Sequence, residues 1–138
     1  MVSGRAALKL LLDTHFAVWA MMDDPRLSAR ARSMLESEEV EPVVSVVSLW
    51  EIAIKFALGP KRRDPMPRSS SQAHELFVGA GYTILPITAE HAAAVDDLPR
   101  LHGDPFDRML VAQALCEPMR LLTRDARLKD YGALVELA

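Results

Sequence analysis

A chain of 138 residues that is 50% hydrophobic has the length of one domain and can bury a core without staples. Its 16 basic and 19 acidic side chains leave a formal charge of −3, which excludes binding of nucleic acid by bulk positive charge but not by a local basic patch. The single cysteine, Cys116, excludes an intrachain disulfide framework and a cysteine-based zinc site, and fits a reducing cytoplasm. Aromatics are only 6%, so the core must be aliphatic. No apolar run approaches the roughly 18 residues of a membrane span. The early run Ala6 to Leu12 is interrupted by Lys9 and followed by Asp13, so no leader peptide is expected. A single domain over residues 1–138 is expected, with its core at about 8–135.

In chain order, Leu8 to Leu12 is a short apolar run of strand length that stops at Asp13. Thr14 to Met22 reads as a helix ended by Asp23-Asp24-Pro25, because the residue before proline avoids helical angles. Ser28 to Glu39 is a second helix with Ser28 as N-cap and Ala31 and Leu35 inward. Glu41-Pro42 punctuates, and the β-branched Val43 to Val47 is the second strand. From Ser48 to Leu58 a helix places Leu49, Ile52, Ala53 and Phe56 on one face, until Gly59-Pro60 stops it. Residues 59–71 are a loop rich in Lys, Arg, Pro and Ser.

Gln72 to Gly79 is a modest helix, and Tyr82 to Ile87 a strand whose Pro86 puts it at a sheet edge. Thr88 caps a helix running to Leu98, and Leu101-His102-Gly103 turns the chain. Asp104 to Cys116 is a helix apolar nearly all round. Leu121 to Thr123 is a short strand, Ala126 to Asp130 a turn of helix, and Leu134 to Leu137 a last edge strand. Strands alternating with helices imply a parallel α/β sheet, whose ligands sit beyond the carboxyl ends of the strands.

The acids follow that rule. Asp13 closes the first strand, Glu51 falls in the first turn after the second, and Asp125 lies just past the Leu121–Thr123 strand. Asp104 and Asp107 open the buried helix, three residues apart. Each has a structural explanation of its own. Asp13, Asp104 and Asp125 suit helix caps, Asp107 suits a helix dipole, and Ser48-Leu49-Trp50-Glu51 is a capping-box pattern. Capping does not explain why the acids follow successive strands on one side of the sheet. Two carboxylates about 4 Å apart repel by about 4 kcal/mol at an effective dielectric of 20. Gathering several needs protons, a basic partner or a divalent cation, and hard Mg²⁺ or Mn²⁺ prefers such an oxygen shell.

Four blocks carry a family resemblance nearly end to end: Leu11 to His15, Ser48 to Lys55, His102 to Ala114, and Leu122 to Asp125. In this order and spacing the chain resembles the PIN-domain ribonucleases, specifically the VapC toxins of prokaryotic toxin–antitoxin pairs. The resemblance implies a PIN-like three-layer α/β/α sandwich with a short, mainly parallel central sheet. It implies a Mg²⁺- or Mn²⁺-dependent endoribonuclease whose metal-binding and catalytic acids are Asp13, Glu51, Asp107 and Asp125. Asp104 then stands as an outer ligand or a helix cap. Thr14 and Thr123 would orient carboxylates or a water. A bound ion would lower the pKa of a water and neutralise phosphoryl charge, with Asp125 or Glu51 taking the proton. The expected products carry a 5′-phosphate and a 3′-hydroxyl.

His15 and His102 read as helix-start or loop residues, and His74 and His91 carry no signal. Arg62, Arg63, Arg108 and Arg124 are candidates for RNA phosphate contact, with Arg108 and Arg124 alternatively ion-pair partners of the acids. The resemblance also implies a homodimer and a cognate antitoxin. Trp19, Met21, Met22, Met34 and Leu35 suit a partner groove or the core. A phosphatase with an Asp nucleophile would want an acid where His15 stands. A receiver domain would want its acidic pair elsewhere than Asp23-Asp24. The remaining alternative is a module of the same fold that binds RNA or antitoxin without cutting.

Overall fold

Strand β1 (Leu8–Leu12) lies at the centre of a five-stranded sheet in the computed structural model, which describes residues 7–138. Residues 1–6, on which part of the leader-peptide reading rests, lie outside the described residues. The other strands are β2 (Val40–Ser45), β3 (Thr83–Leu85), β4 (Arg120–Thr123) and β5 (Val135–Leu137). All neighbours are parallel and the spatial order is β3-β2-β1-β4-β5. Leu11 pairs with Val43 on one side and Leu121 on the other. The chain winds outward from β1 through β2 to β3, then crosses back to β4. The ends of β1 and β4 therefore flank a point where the strand order reverses, the place where open α/β sheets bind ligands.

Alternation along the strands sorts the core into two layers. Leu10, Leu12, Val44 and Leu122 pack with Phe16, Ala17 and Phe77 from α1 (Thr14–Met22) and α4 (Ser70–Gly79). Ala31 of α2 (Ala29–Glu36) completes that layer. Leu11, Val43 and Leu121 face the other way, onto Leu110, Val111 and Ala114 of α6 (Pro105–Cys116). The result is the expected α/β/α sandwich. Trp19, Met21, Met22, Met34 and Leu35 are partly buried against the first layer, so they belong to its margin.

Several boundaries differ from the sequence reading. Glu41 and Pro42 sit inside β2 rather than before it. Pairing to β3 begins only at Val43, so Pro42 lies where the strand has a single neighbour and a missing N–H is tolerated. The second strand ends at Ser45, and α3 runs Val46–Ala57. Ser45, not Ser48, is the N-cap, its hydroxyl accepting from the Val47 amide at 3.0 Å. The two-residue shift rotates the helix. Its buried face is Val47, Ser48, Glu51 and Ile52, while Ala53 and Phe56 are exposed. The Ser28 helix ends at Glu36, and the helix capped by Thr88, α5 (Ala89–Ala94), tightens into a 3₁₀ turn at Val95–Asp97. Edge placement of β3 and the caps at Ser28, Thr88 and Asp104 are as expected.

A polar network crosses the second layer. The Ser45 hydroxyl donates to Gln113 Oε1 at 2.5 Å, and Gln113 Nε2 donates to the Pro86 carbonyl at 3.3 Å. His91, wholly buried, accepts from the Thr88 amide through Nδ1 at 3.1 Å, so its Nε2 carries the hydrogen toward Glu117 at 2.7 Å. The sequence gives no sign of this histidine's role, because its partner lies 26 residues away. Gln113→Leu leaves the Pro86 carbonyl without its amide donor and is expected to lower stability by about 2 kcal/mol, read from urea unfolding.

Candidate active site

Each acid reaches the carboxyl end of the sheet by a different local device. Asp13 is the residue after β1, held there by its own N-cap bond, Oδ1 accepting from the Phe16 amide at 2.8 Å. Glu51 is carried into the second turn of α3, on the buried face that begins after β2. Asp104 caps α6, accepting from the Phe106 and Asp107 amides at 2.8 and 3.1 Å, and so presents Asp107 in the first helical turn. Asp125 follows β4 and caps the 3₁₀ helix Ala126–Tyr131. Capping and placement are thus the same geometry: the caps at Asp13, Asp104 and Asp125 hold these acids at the carboxyl end of the sheet, and there one oxygen each of Asp107 and Asp125 comes within 4.8 Å.

Burial and neighbouring charge act on these acids differently. Asp13 is 6% exposed, and burial pushes its carboxyl up to about 6, against the pull of the Phe16 amide, the Thr123 hydroxyl and nearby His15. The charge of Asp107 raises it further. Asp107 is itself raised, first by burial and then by Asp104 and Glu51, with His102 opposing. Asp125 is lowered, because Arg127 grips it through Nε and Nη2 of its guanidinium and through its own amide. Glu51 is 3% exposed, with one oxygen paired to Lys55 one turn along the helix and the other, Oε1, buried without a hydrogen-bond partner. A buried carboxylate oxygen left unsatisfied is costly unless something else fills the space before it. The site meets the requirement for a hard cation: several carboxylates, one of them with a free buried oxygen, and too little positive charge to neutralise them all.

Thr123 links two of the acids. Its hydroxyl donates to Asp13 Oδ2 at 2.5 Å and accepts from the Asp125 amide at 3.0 Å. Thr14 bonds no carboxylate among the described residues. Its hydroxyl lies 2.9 Å from that of Ser48, joining α1 to α3 rather than orienting a carboxylate. The same bond explains why Ser48 turns inward instead of capping with Glu51.

The cations are also redistributed. Among the described residues Arg108 and Arg124 pair with none of these acids. Arg108 donates to the Val95 carbonyl at 3.2 Å, and Arg124 donates to the Arg26 carbonyl while lying over the Trp19 ring. Lys55 and Arg127 take the charge-balancing positions instead, and the His102 ring stands beside Asp107. His102 is not a bystander in its turn: Nε2 is 2.8 Å from Asp107 Oδ2 and 3.9 Å from Asp125 Oδ2. Its position five residues before Asp107 was visible in the sequence, but not its direction.

Two depressions flank the acids. One, of about 230 Å³, is lined by Asp13, His15, Phe16, Trp19, Arg124 and Asp125. It adjoins a basic notch containing Arg26, Lys55 and Arg62, where Arg62 Nη1 is buried without a hydrogen-bond partner. The other, of about 820 Å³, includes His102, Arg100, Arg108 and the edge-to-face ring pair Trp50–Phe106. Arg63 is exposed on the loop after α3.

A model of the PIN domain family matches residues 10–134. Ribonuclease VapC22 of Mycobacterium tuberculosis is 31% identical over 129 residues, spanning 88% of this chain and 91% of that protein. Among solved structures, VapBC2 from Rickettsia felis bound to a promoter DNA fragment aligns with a TM-score of 0.65 at 16% identity, over 94% of this chain and 98% of that one. FitAB bound to the IR36 DNA fragment aligns with a TM-score of 0.61 at 23% identity, over 93% and 94%. The sheet order, the two helical layers and the acids at the strand ends agree with a match that spans nearly the whole chain: the protein belongs to the PIN-domain family, alongside the VapC ribonucleases.

Proposed function

We propose that the protein is a divalent-cation-dependent endoribonuclease, the toxin of a type II toxin–antitoxin pair. The observation that carries this reading is the approach of Asp107 and Asp125 to within 4.8 Å, with an unsatisfied buried oxygen on Glu51. The kinship with a VapC ribonuclease supports RNA as the substrate. Asp13, Glu51, Asp107 and Asp125 would hold Mg²⁺ or Mn²⁺, with Asp104 as the cap that sets Asp107 and an outer ligand. The bound cation supplies charge neutralisation at the phosphoryl oxygens and a lowered pKa for the attacking water.

The chain's own residues do the rest. Thr123 fixes the Asp13 carboxylate, and Lys55 holds one oxygen of Glu51 so that the other faces the site. Asp125 or Glu51 takes the proton from water as its oxygen attacks phosphorus. The bond to the 3′-oxygen breaks, that oxygen gains a proton, and the products are a 3′-hydroxyl and a 5′-phosphate. Arg62, Arg63, Arg108 and Arg124 are the candidates for backbone phosphates, and the structure supports Arg62 and Arg124 best, since both border the depressions beside Asp13. A cognate antitoxin and a homodimeric assembly complete the proposal, with the cytoplasm as the place of action. The fold neighbours are toxin–antitoxin complexes, and among the described residues no helix is long and apolar enough to cross a membrane.

The test is cleavage of total cellular RNA by purified protein with Mg²⁺, with Mn²⁺ and with EDTA, beside Asp107→Asn. Discrete fragments that require metal and lose at least ~10³-fold in rate in the variant are expected. Folded wild-type protein that binds RNA but cuts under no condition would instead indicate a binding module.

A further inference from the structure

The turn before α6 carries a side chain that the acid set does not account for. His102 is 6% exposed at its side chain, although the turn around it is largely open to solvent. Its ring lies on the wall between the larger groove and the acids. One nitrogen of the ring and one carboxylate oxygen from each of Asp107 and Asp125 lie within 4.8 Å of one another. Two of those separations are 2.8 Å, to Asp107, and 3.9 Å, to Asp125.

These spacings suit a shared ion. Donors about 2.1 Å from a small divalent cation stand about 3 Å apart when adjacent in its shell and about 4.2 Å apart when opposite. The two His102 distances fall near those limits before any adjustment. Burial holds the ring in that direction. Asp107 is also the acid that senses Asp13, Glu51 and Asp104, so a ligand set containing Asp107 is continuous with the rest of the site. An imidazole nitrogen suits transition-metal ions, whereas Mg²⁺ keeps to oxygen and retains water.

We propose that His102 is a direct nitrogen ligand of the cation site, together with Asp107 and Asp125, and that it makes the site prefer Mn²⁺ to Mg²⁺. This rests on the divalent-cation reading above. The competing role is purely positional: the ring donates a hydrogen bond to Asp107 and never touches the ion. Both roles would lower nuclease activity when His102 is changed, so activity cannot separate them.

The experiment is electron spin-echo modulation of Mn²⁺ titrated into the metal-stripped full chain. A nitrogen bound directly to Mn²⁺ modulates the echo strongly, and a ring one bond further out does not. Strong ¹⁴N modulation is expected in the wild type, converting to the ¹⁵N pattern when histidine is ¹⁵N-labelled. It should vanish in His102→Gln and persist in His15→Gln, which removes the other histidine near the acids. Mn²⁺ affinity should fall at least ~10-fold in His102→Gln, while Mg²⁺ affinity, read by competition, changes less than ~3-fold. Stoichiometric Mn²⁺ without nitrogen modulation in the labelled wild type would overturn the ligand role and leave the cation site standing. A wild type whose spectrum remains that of free aqueous Mn²⁺ would overturn the cation reading and this inference with it. The labelled wild-type measurement decides the matter even should His102→Gln fail to fold.

Discussion

Asp13→Asn is expected to abolish RNA cleavage, by at least ~10³-fold, and at the same time to make the metal-free protein more stable at neutral pH. The two effects have one origin. Asp13 ionises near 6 in the folded chain because it is buried, against an ordinary value of 3.8. Between those values the folded state holds a proton that the unfolded state has released. Stability therefore falls as pH rises through this window, by on the order of 3 kcal/mol when complete. On the proposed reading, the unfavourable carboxylate is kept for the cation it would help to hold.

Asparagine removes the charge and keeps the shape. It is as good an N-cap as aspartate, so the bond from the Phe16 amide survives. The Thr123 hydroxyl, which now donates to Asp13, has lone pairs with which to accept from the new amide instead. In EDTA, urea unfolding from pH 4 to 7 should show the wild type losing stability where the variant loses much less. Asp125 and Asp24 titrate below their ordinary range, so the stability they confer is lost only as pH falls below about 4 and does not blur the comparison. Parallel curves for the two proteins would mean that Asp13 is not strained by burial.

The parts of this molecule that could be read in advance are those set by neighbours in sequence. Short runs of three to six mainly apolar residues marked the strands, and side-chain caps at Ser28, Thr88 and Asp104 marked helix starts. The acids could be placed because parallel strands all end on one side. What could not be read depended on partners far along the chain. In Val43 to Val47 the only local mark of where strand becomes helix is Ser45, a cap residue masked by the β-branched run on both sides; its hydroxyl is engaged by the Val47 amide and by Gln113, 68 residues away. Ser48 is claimed by Thr14, 34 residues back, so the capping-box pattern ending at Glu51 goes unused.

The cations divide the same way. Lys55 lies four residues after Glu51, a helical spacing that would have shown it as a partner, whereas Arg127, two after Asp125, reaches it only through the cap that Asp125 forms. Arg108 and Arg124 sit next to Asp107 and Asp125, but a residue beside an acid on a helix or after a strand points elsewhere. The directions of His91 and His102 follow from Glu117 and from the meeting of β4 with α6, which no local pattern encodes.

Thr123→Val should be the most damaging change at the site that alters no charge. The side chain is wholly buried at the end of β4, and valine matches its volume and β-branched shape. Only the hydroxyl is lost. That hydroxyl spans two strands, donating to Asp13 and accepting from the Asp125 amide. Without it one buried carboxylate oxygen loses its donor, and the chain after β4 loses the bond that fixes where Asp125 begins its cap. A loss of about 2–3 kcal/mol in stability is expected. Since Thr123 acts through the carboxylates, kcat/KM should fall by ~10- to 100-fold, as when a partner of a metal ligand is removed. Thr123→Ser, which keeps the hydroxyl, should stay within several-fold of wild type.

The double variant tests the path of the effect. If Thr123 stabilises the fold through the Asp13 charge, Thr123→Val should be milder in the Asp13→Asn background, with a coupling of at least ~1 kcal/mol. If the two stability changes simply add, the hydroxyl serves Asp125 alone. The link between β1 and β4 would then be steric, carried by the pairing of Leu12 with Leu122 rather than by the bond between their successors.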